Sequence, residues 1–488
     1  MSTACRGRLE PVLFFAIALA VYVGLAADSF YKVDGIDIVR LLYEGGEHPW
    51  HVGYLPALAG FRRLLELVSL SPTPLQLGTW FSALGGALGV GFARAGMARL
   101  GIAAATARLA TIAFALSPGL LTFATVVEFH GPMLGPLGLA FWWTTVQVKN
   151  ASWWGMALLG ALCHLPFLIH SQQLFLPVWL LAFFVAKRSL RRRDLMLAAL
   201  AGSVHAALIL GLPQLLPDCY GYWAKLGEGF ATEASIGRPQ SLDYTPQIFL
   251  QEWLGPLLPL SLFAFTALLG RSLRAEFAAF ALGFLPYLYL SVRQLVFEPE
   301  FGAYMLPMVL PAAMLTAQRL GPRVLSYGLL ALGIYQWLGG PFEHLLVQKK
   351  GDDWFAVAVQ QGAGEAEPFV LVGSHRELGS AYARLAPGRF LWVRATAAMP
   401  RAKASREYFE GVGQFLRLQH QQGRAVLVTK GALASLDDPR AAMLAEKATL
   451  TVPENTEMAG PVFATYLRTE FDLVAAAQGE IWRLVPKR

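Results

Sequence analysis

Residues 109–147, LATIAFALSPGLLTFATVVEFHGPMLGPLGLAFWWTTVQ, decide the class of fold. The stretch holds two apolar runs, and each is close to the length that crosses a hydrocarbon layer of roughly 30 Å. Between them stands Val127-Glu128-Phe129-His130, and Glu128 is the one charged residue of the stretch. The pattern predicts two membrane-spanning helices joined by a very short loop.

The composition of the whole chain agrees with a membrane protein. Its 488 residues are 55% hydrophobic and 15% charged, whereas a soluble domain carries roughly 25% charged residues. An ordinary soluble enzyme and a disordered protein are therefore excluded. The three cysteines, Cys5, Cys163 and Cys219, lie far apart and show neither metal-binding spacing nor a disulfide framework.

Apolar runs predict eleven spans in all, which makes residues 1–340 a polytopic α-helical membrane domain. The runs centre on 11–27, 77–93, 109–126, 131–147, 152–168, 172–186, 195–214, 249–269, 275–292, 302–318 and 323–340. The first run follows Arg6 and Arg8 and could also be a signal peptide. The ten further spans make cleavage unnecessary for membrane insertion.

The basic residues near the span ends predict the orientation. With a cytoplasmic N-terminus, fifteen Lys and Arg residues before residue 345 lie inside and seven lie outside. This location makes the basic residues signals of membrane topology despite the net charge of +7, so we predict no nucleic-acid partner. An odd number of spans puts the C-terminal part outside. In a bacterium, the protein would be in the inner membrane with a periplasmic C-terminal domain.

Residues 341–488 predict an extracytoplasmic α/β domain. Strand-length apolar runs alternate with helix-like stretches, which favours a partly parallel sheet. Three of the runs are 369–373, 390–393 and 425–429. Two more, 471–474 and 480–485, could close the sheet as a hairpin. The turn Val372-Gly373-Ser374-His375 could hold a phosphate, but an ordinary strand-to-helix turn is the favoured interpretation. We expect the domain to serve in recognition or as a lid.

The first outer loop, residues 28–76, begins DSFYKVDGIDIVRLLYEGGEHPWHVGYLPALAGFRRLLELVSL and is too charged to span. Residues 54–68 predict an amphipathic helix lying in the membrane interface. Asp34 and Asp37 are three residues apart and would share one face of a helix. Two carboxylates at the membrane surface need either water, as in a solvated loop end, or a cationic or protic partner.

The segment Glu44-Gly45-Gly46-Glu47-His48-Pro49-Trp50-His51 in this loop predicts a fixed turn, because two glycines and a proline restrict it. Its histidines and glutamates could hold a divalent cation. A rigid turn that orients the loop helices is the favoured interpretation.

Ionisable residues also gather at the predicted outer ends of the spans, and ionisable groups at membrane depth are functional candidates. They are Glu128, His130, His164, His170 and Arg293. Any one histidine could be a satisfied interfacial residue. Their collection on one membrane face favours a site.

These motifs resemble those of membrane glycosyltransferases of the C-type fold, which take a sugar from a polyprenyl-phosphate carrier. The resemblance is closer to the protein O-mannosyltransferase-like family long catalogued as a domain of unknown function. The matching segments are Asp34–Asp37 for the acidic first-loop motif, His48–Pro56 for a His-Pro-Pro-Gly-Tyr-Pro-like turn, Val127–His130, Gly160–His170, and Tyr304–Pro307 for a late-span pattern. The second acid is Asp rather than Glu, and the turn lacks its second proline.

The resemblance implies inverting transfer of a sugar from a polyprenyl-phosphate donor to an acceptor hydroxyl on the outer face. Asp34 would be the base, with Asp37 as support or alternative base. Lys32, Arg40 or Arg293 would hold the phosphate, and the substrate pocket would be lined by Glu128, His130, His170, His48 and Tyr304. The implied partners are the lipid-linked donor, membrane lipid, and a protein, lipid or glycan acceptor. No cofactor is required, with a divalent cation as the alternative.

Two other functions stay open. A transporter or flippase of a lipid-linked glycan would show internal repeats and broken mid-membrane helices, and we find no convincing repeat in the sequence. A non-catalytic member of the family would keep only a binding surface, and the departures from the motifs make this a real alternative.

Overall fold

The structure is a computed structural model that describes residues 3–30, 33–44, 51–188, 191–216, 255–269, 273–294, 302–338, 354–373, 375–385, 388–392, 402–433, 466–477 and 479–487. Two compact units divide the chain. The first comprises Met1–Ala27, Asp37–Pro72 and Gln76–Lys349, and the second comprises Asp28–Ile36, Thr73–Leu75 and Lys350–Arg488. The sequence placed all of loop 28–76 with the membrane domain and put the boundary after residue 340. In the structure, the two ends of that loop belong to the second unit.

The first unit is built from helices. They are α1 (Thr3–Gly24), α2 (Val33–Glu44, which begins in the second unit), α3 (Tyr54–Leu67), α4 (Pro74–Arg99), α5 (Ala104–Ala115), α6 (Pro118–Phe123), α7 (His130–Lys149), α8 (Trp153–Ile169), α9 (Leu176–Lys187), α10 (Arg192–Leu215), α11 (Leu260–Phe265), α12 (Arg274–Gln294), α13 (Val309–Arg319) and α14 (Pro322–Leu338). Short 3-10 turns at Ser171–Phe175 and Ala303–Met308 lead into α9 and α13.

Helices occupy the described part of each predicted span, but several are interrupted. The run 109–126 forms two helices, because Pro118 cannot donate a backbone hydrogen bond and starts a new helix after Ser117. Among the described helices, Arg192–Leu215 is long and apolar enough to cross a membrane by itself, and shorter apolar helices include Leu9–Gly24 and Trp153–Ile169. The number of spans stays a prediction.

Large apolar side chains point outward from the helices of the first unit. Leu13 on α1, Trp154 on α8, Leu285 on α12 and Leu330 on α14 are all more than half exposed. Apolar surface repeated on several outward helix faces would be unfavourable in water and is suited to contact with lipid chains.

Helices α4 and α7 approach each other closely through glycines. A Cβ on Gly85 would lie 2.4 Å from Pro132 Cα, and a Cβ on Gly89 would lie 3.0 Å from the Leu134 carbonyl oxygen. Small residues spaced four apart let two helix backbones come together in membrane proteins. This contact fixes the start of α7, which carries His130.

Replacing Gly85 with alanine should therefore destabilise the protein by about 1–3 kcal/mol, because the new methyl group meets backbone atoms that cannot rotate away. Thermal unfolding in detergent would measure the loss. Gly60→Ala on α3 is the matched control, since nothing lies within 4 Å of its Cβ position. Equal melting temperatures for Gly85→Ala and the wild type would contradict the proposed close packing.

The second unit contains a five-stranded sheet with the order β2-β1-β3-β5-β4. Its elements are α15 (Trp354–Ala363), β1 (Pro368–Val372), α16 (His375–Arg384), β2 (Phe390–Trp392), α17 (Ala402–Gln421), β3 (Ala425–Thr429), α18 (Lys430–Leu433), β4 (Phe471–Ala477) and β5 (Ile481–Pro486). Strand β1 pairs in parallel with β2 and β3, whereas β5 pairs antiparallel with β3 and β4. The strands lie at the predicted apolar runs. Their buried core includes Phe369, Leu416, Val428 and Leu484.

The chain goes from β1 to β2 on one side and returns to β3 on the other, which makes a switch point between β1 and β3. In open α/β sheets this position commonly binds a ligand. Here the carboxylate of Glu377 occupies it. The carboxylate accepts hydrogen bonds from Gly373 N (3.0 Å), Gly431 N (2.8 Å) and the Thr429 hydroxyl (2.8 Å). The Gly373 turn is therefore an internal structural contact.

Candidate functional site

Glu128 and His130 stand where the loop after α6 enters α7. Glu128 is 2% exposed, and its Oε2 accepts a hydrogen bond from Phe129 N at 3.1 Å. The same oxygen lies 3.6 Å from His130 Nδ1. Gly131 permits this tight entry into α7, because a Cβ there would lie 2.2 Å from the Phe123 carbonyl oxygen. The two predicted residues thus form one buried pair.

His170 ends α8 and begins the following 3-10 turn. Its backbone is extended, with φ −147° and ψ 120°, and its Nδ1 accepts a hydrogen bond from Gln172 N at 3.2 Å. The ring centroid lies 4.3 Å from that of His130. The cap therefore fixes the ring orientation beside the buried pair.

His51, just before α3, completes the group. Its ring centroid lies 4.3 Å from that of His170, and its Nδ1 accepts a hydrogen bond from Ser171 N at 3.4 Å. The approach depends on Gly53, whose N–H donates to the Leu168 carbonyl at 2.8 Å. A Cβ on Gly53 would lie 2.7 Å from Leu168 Cβ, so a larger residue there would push His51 away.

We call Glu128, His51, His130 and His170 the histidine cluster. All four residues are buried. Because Nδ1 of both His51 and His170 accepts a backbone hydrogen bond, Nε2 is the nitrogen of each ring that is left to donate one. The cluster therefore combines a carboxylate that can accept hydrogen bonds with imidazoles that can donate them. Tyr304 faces His130 edge-on, with the ring centroids 6.3 Å apart.

The two predicted catalytic aspartates both lie on α2. Asp34 has an exposed side chain. Asp37 is paired with Arg40, whose Nε lies 3.1 Å from Asp37 Oδ1. In the second unit, Ile36 packs against α16, where a Cβ on Gly379 would lie 3.0 Å from Ile36 Cδ1. The beginning of α2 is thus held by the α/β sheet unit.

Three predicted site residues have side chains outside the described residues. Lys32 and His48 fall in such segments, and Arg293 lies in the last turn of α12. Their roles stay predictions. In the described part of the chain, no three His, Cys, Asp or Glu side chains are arranged to hold a metal ion. The turn at residues 45–50, where a divalent cation was the alternative, also lies outside it.

His51 was not predicted as a site residue, and the sequence suggested it only as a possible metal ligand in the segment 44–51. Its position next to Val52-Gly53 was the available signal, because a glycine there allows a close approach of two backbones. Gln172 was also missed. Two glutamines opening an apolar run were a visible signal, but their partners are more than 35 residues away in sequence.

No family model matches this chain, and no curated protein matches it. Among solved structures, it is similar to ArnT from Cupriavidus metallidurans bound to undecaprenyl phosphate, with 14% identity, a TM-score of 0.56 and 97% of each chain covered. It is also similar to the same protein in the apo state, with 14% identity and a TM-score of 0.52 over 99% of this chain and 98% of that one. The chain therefore has the helical membrane fold of ArnT, which is the C-type glycosyltransferase fold.

Proposed function

We propose that the protein transfers a sugar from a polyprenyl-phosphate donor to an acceptor hydroxyl at the outer face of the membrane. One observation carries the proposal. A buried carboxylate and three imidazoles lie together in this chain, and the chain shares its fold with a protein that was crystallised with undecaprenyl phosphate. Buried ionisable groups are costly to maintain and therefore mark functional sites. We also propose, more specifically, that the protein is related to the O-mannosyltransferase-like family that its sequence motifs resemble.

The chemistry requires few groups. The acceptor oxygen attacks the anomeric carbon, the bond from that carbon to the phosphate oxygen breaks, and the hydroxyl proton passes to a base. The phosphate leaves without a strong acid, so one carboxylate and donors for the departing charge suffice. A single displacement inverts the anomeric centre, whereas a retaining glycosidase needs two carboxylates at a set separation.

Asp34 is our candidate for the base, because its side chain is exposed and can meet an incoming alcohol. Asp37 is better suited to support, since Arg40 Nε already occupies its Oδ1 at 3.1 Å. The histidine cluster would bind the substrates. Arg40, Lys32 or Arg293 would hold the phosphate.

Replacing Glu128 with glutamine should lower kcat/KM by about 10- to 100-fold. The amide keeps the shape but lacks the carboxylate that accepts a hydrogen bond from Phe129 N at 3.1 Å and faces His130 at 3.6 Å, and a hydrogen bond to a charged group contributes about 1.5–3 kcal/mol. Transfer from a labelled polyprenyl-phosphate sugar in proteoliposomes would measure the effect.

Glu66→Gln on α3 is the control, because Glu66 is half exposed and paired with Arg62 on the same helix. That variant should keep full activity. If Glu128→Gln is as active as Glu66→Gln, the histidine cluster has no role in transfer.

A further inference from the structure

Two consecutive glutamines in the turn Ser171–Phe175 reach the same methionine. Gln172 Nε2 lies 3.6 Å and Gln173 Nε2 lies 3.1 Å from the sulfur of Met133. Gln172 Nε2 also donates to the carbonyl oxygen of Ala303 at 3.4 Å. Both residues are buried. The two side chains are therefore of the same type, are both buried, and share Met133 as a partner.

The orientation of the Gln172 amide is determined by its partners. A thioether sulfur and a carbonyl oxygen can only accept hydrogen bonds. The NH₂ group must therefore face Met133 and Ala303, and the amide oxygen must face elsewhere.

The two glutamines differ in what their amide oxygens meet. Gln173 Oε1 accepts a hydrogen bond from the hydroxyl of Tyr287 at 3.4 Å. For Gln172 Oε1, no donor lies within hydrogen-bond distance among the residues that the structure describes, although the residue is only 5% exposed. A buried acceptor without a donor is unfavourable and rare in folded proteins. Gln172 thus presents an acceptor that a bound molecule could use.

This acceptor belongs to the surroundings of the histidine cluster. The backbone N–H of Gln172 donates to His170 Nδ1. Met133 lies one helical turn after His130 on α7, and Ala303 precedes Tyr304, whose ring faces His130. The groups that hold Gln172 therefore lie one helical turn from His130, or next to the residue whose ring faces His130.

We propose that Gln172 Oε1 accepts a hydrogen bond from a hydroxyl or amino group of the donor's sugar and so helps to select that sugar. The parts of the donor molecule differ in whether they can donate a hydrogen bond to an amide oxygen. An ionised phosphate offers only acceptor oxygens towards an amide oxygen, and the polyprenyl chain offers no polar hydrogen. A sugar hydroxyl or amino group can donate. This assignment rests on the function proposed above and names a contact within the same site.

The test compares Gln172→Met with Gln173→Met in the full-length protein. Methionine keeps the length and flexibility of glutamine but has no amide oxygen. Binding of undecaprenyl phosphate and of undecaprenyl-phosphate hexoses would be measured in nanodiscs for each variant. The informative quantity is the ratio of affinities for the hexose-bearing and bare lipids. We expect Gln172→Met to lower this ratio about tenfold, and Gln173→Met to leave it unchanged.

Four results would overturn the assignment. A Gln172→Met variant that weakens both lipids equally would show a structural role, and so would an equal fall of the ratio in Gln173→Met. A wild type that binds both lipids equally would show that the sugar makes no contact there, while leaving the lipid donor in place. A wild type that binds neither lipid would overturn the proposed function itself and the assignment with it.

Discussion

Replacing Asp34 with asparagine is expected to lower the rate of sugar transfer by about 10²- to 10⁴-fold, which is the usual contribution of a general base. Asparagine has nearly the shape of aspartate but cannot take the acceptor proton. The exposed position of Asp34 on α2 means that the substitution should leave folding intact. Single-turnover rates with a labelled polyprenyl-phosphate sugar would measure the effect, and the affinity for the donor should stay within a few-fold of the wild type.

Asp37→Asn is the matched control on the same helix face. Because Asp37 is paired with Arg40, its replacement should cost less than Asp34→Asn does, and the loss should lie mainly in substrate affinity. Full turnover by Asp34→Asn would remove Asp34 as the base. If Asp37→Asn then proved inactive, the two roles would have to be exchanged.

The second large effect is expected in the α/β sheet unit, where Glu377→Ala should destabilise the region around β1 and β3 by about 3 kcal/mol or more. The carboxylate is buried and accepts from Gly373 N, Gly431 N and the Thr429 hydroxyl. Each donor that loses its partner costs about 1–3 kcal/mol. Hydrogen exchange of the β1 and β3 amides in the full-length protein would measure the local opening free energy.

Two variants make this experiment specific. Glu377→Gln keeps one acceptor oxygen and should lose less than Glu377→Ala. Glu480→Ala removes an exposed pair with Lys430 and should change exchange little. Unchanged protection of β3 in Glu377→Ala would mean that the switch point is held by other contacts. If Glu377→Ala also slows sugar transfer, the reason would be that Glu377 lies on α16, which contacts Ile36 near the start of α2.

Much of the fold follows from local sequence patterns. The strands at 368–372 and 425–429 and the helix Tyr54–Leu67 lie where apolar runs and helical periodicity predicted them. Pro118 was visible in the sequence as a possible helix break, but the apolar run around it led to the prediction of one span over 109–126. The membership of Asp28–Ile36 in the second unit could not be predicted, because it depends on packing against Gly379, more than 340 residues away.

The site was predictable only in part. Glu128, His130 and His170 were found because ionisable residues stand out in apolar surroundings, and the structure brings them together. His48 was chosen over His51 because it matched a family motif, whereas the described cluster contains His51, brought in by the contact of Gly53 with Leu168. Gln172 is a neutral residue. It stands out only because its amide oxygen has no hydrogen-bond donor among the described residues, and no sequence pattern indicates this.

The most direct test of the proposed function is to reconstitute the wild-type protein in liposomes with polyprenyl phosphate that carries a radiolabelled sugar, together with extracts containing protein, lipid and glycan acceptors. We predict that label moves from the lipid to an acceptor, with inversion at the anomeric carbon, and that Asp34→Asn slows this movement by about 10²- to 10⁴-fold. Label that crosses the bilayer while still attached to the lipid would indicate a flippase. Label that stays on the donor with every acceptor and sugar tested would contradict enzymatic transfer.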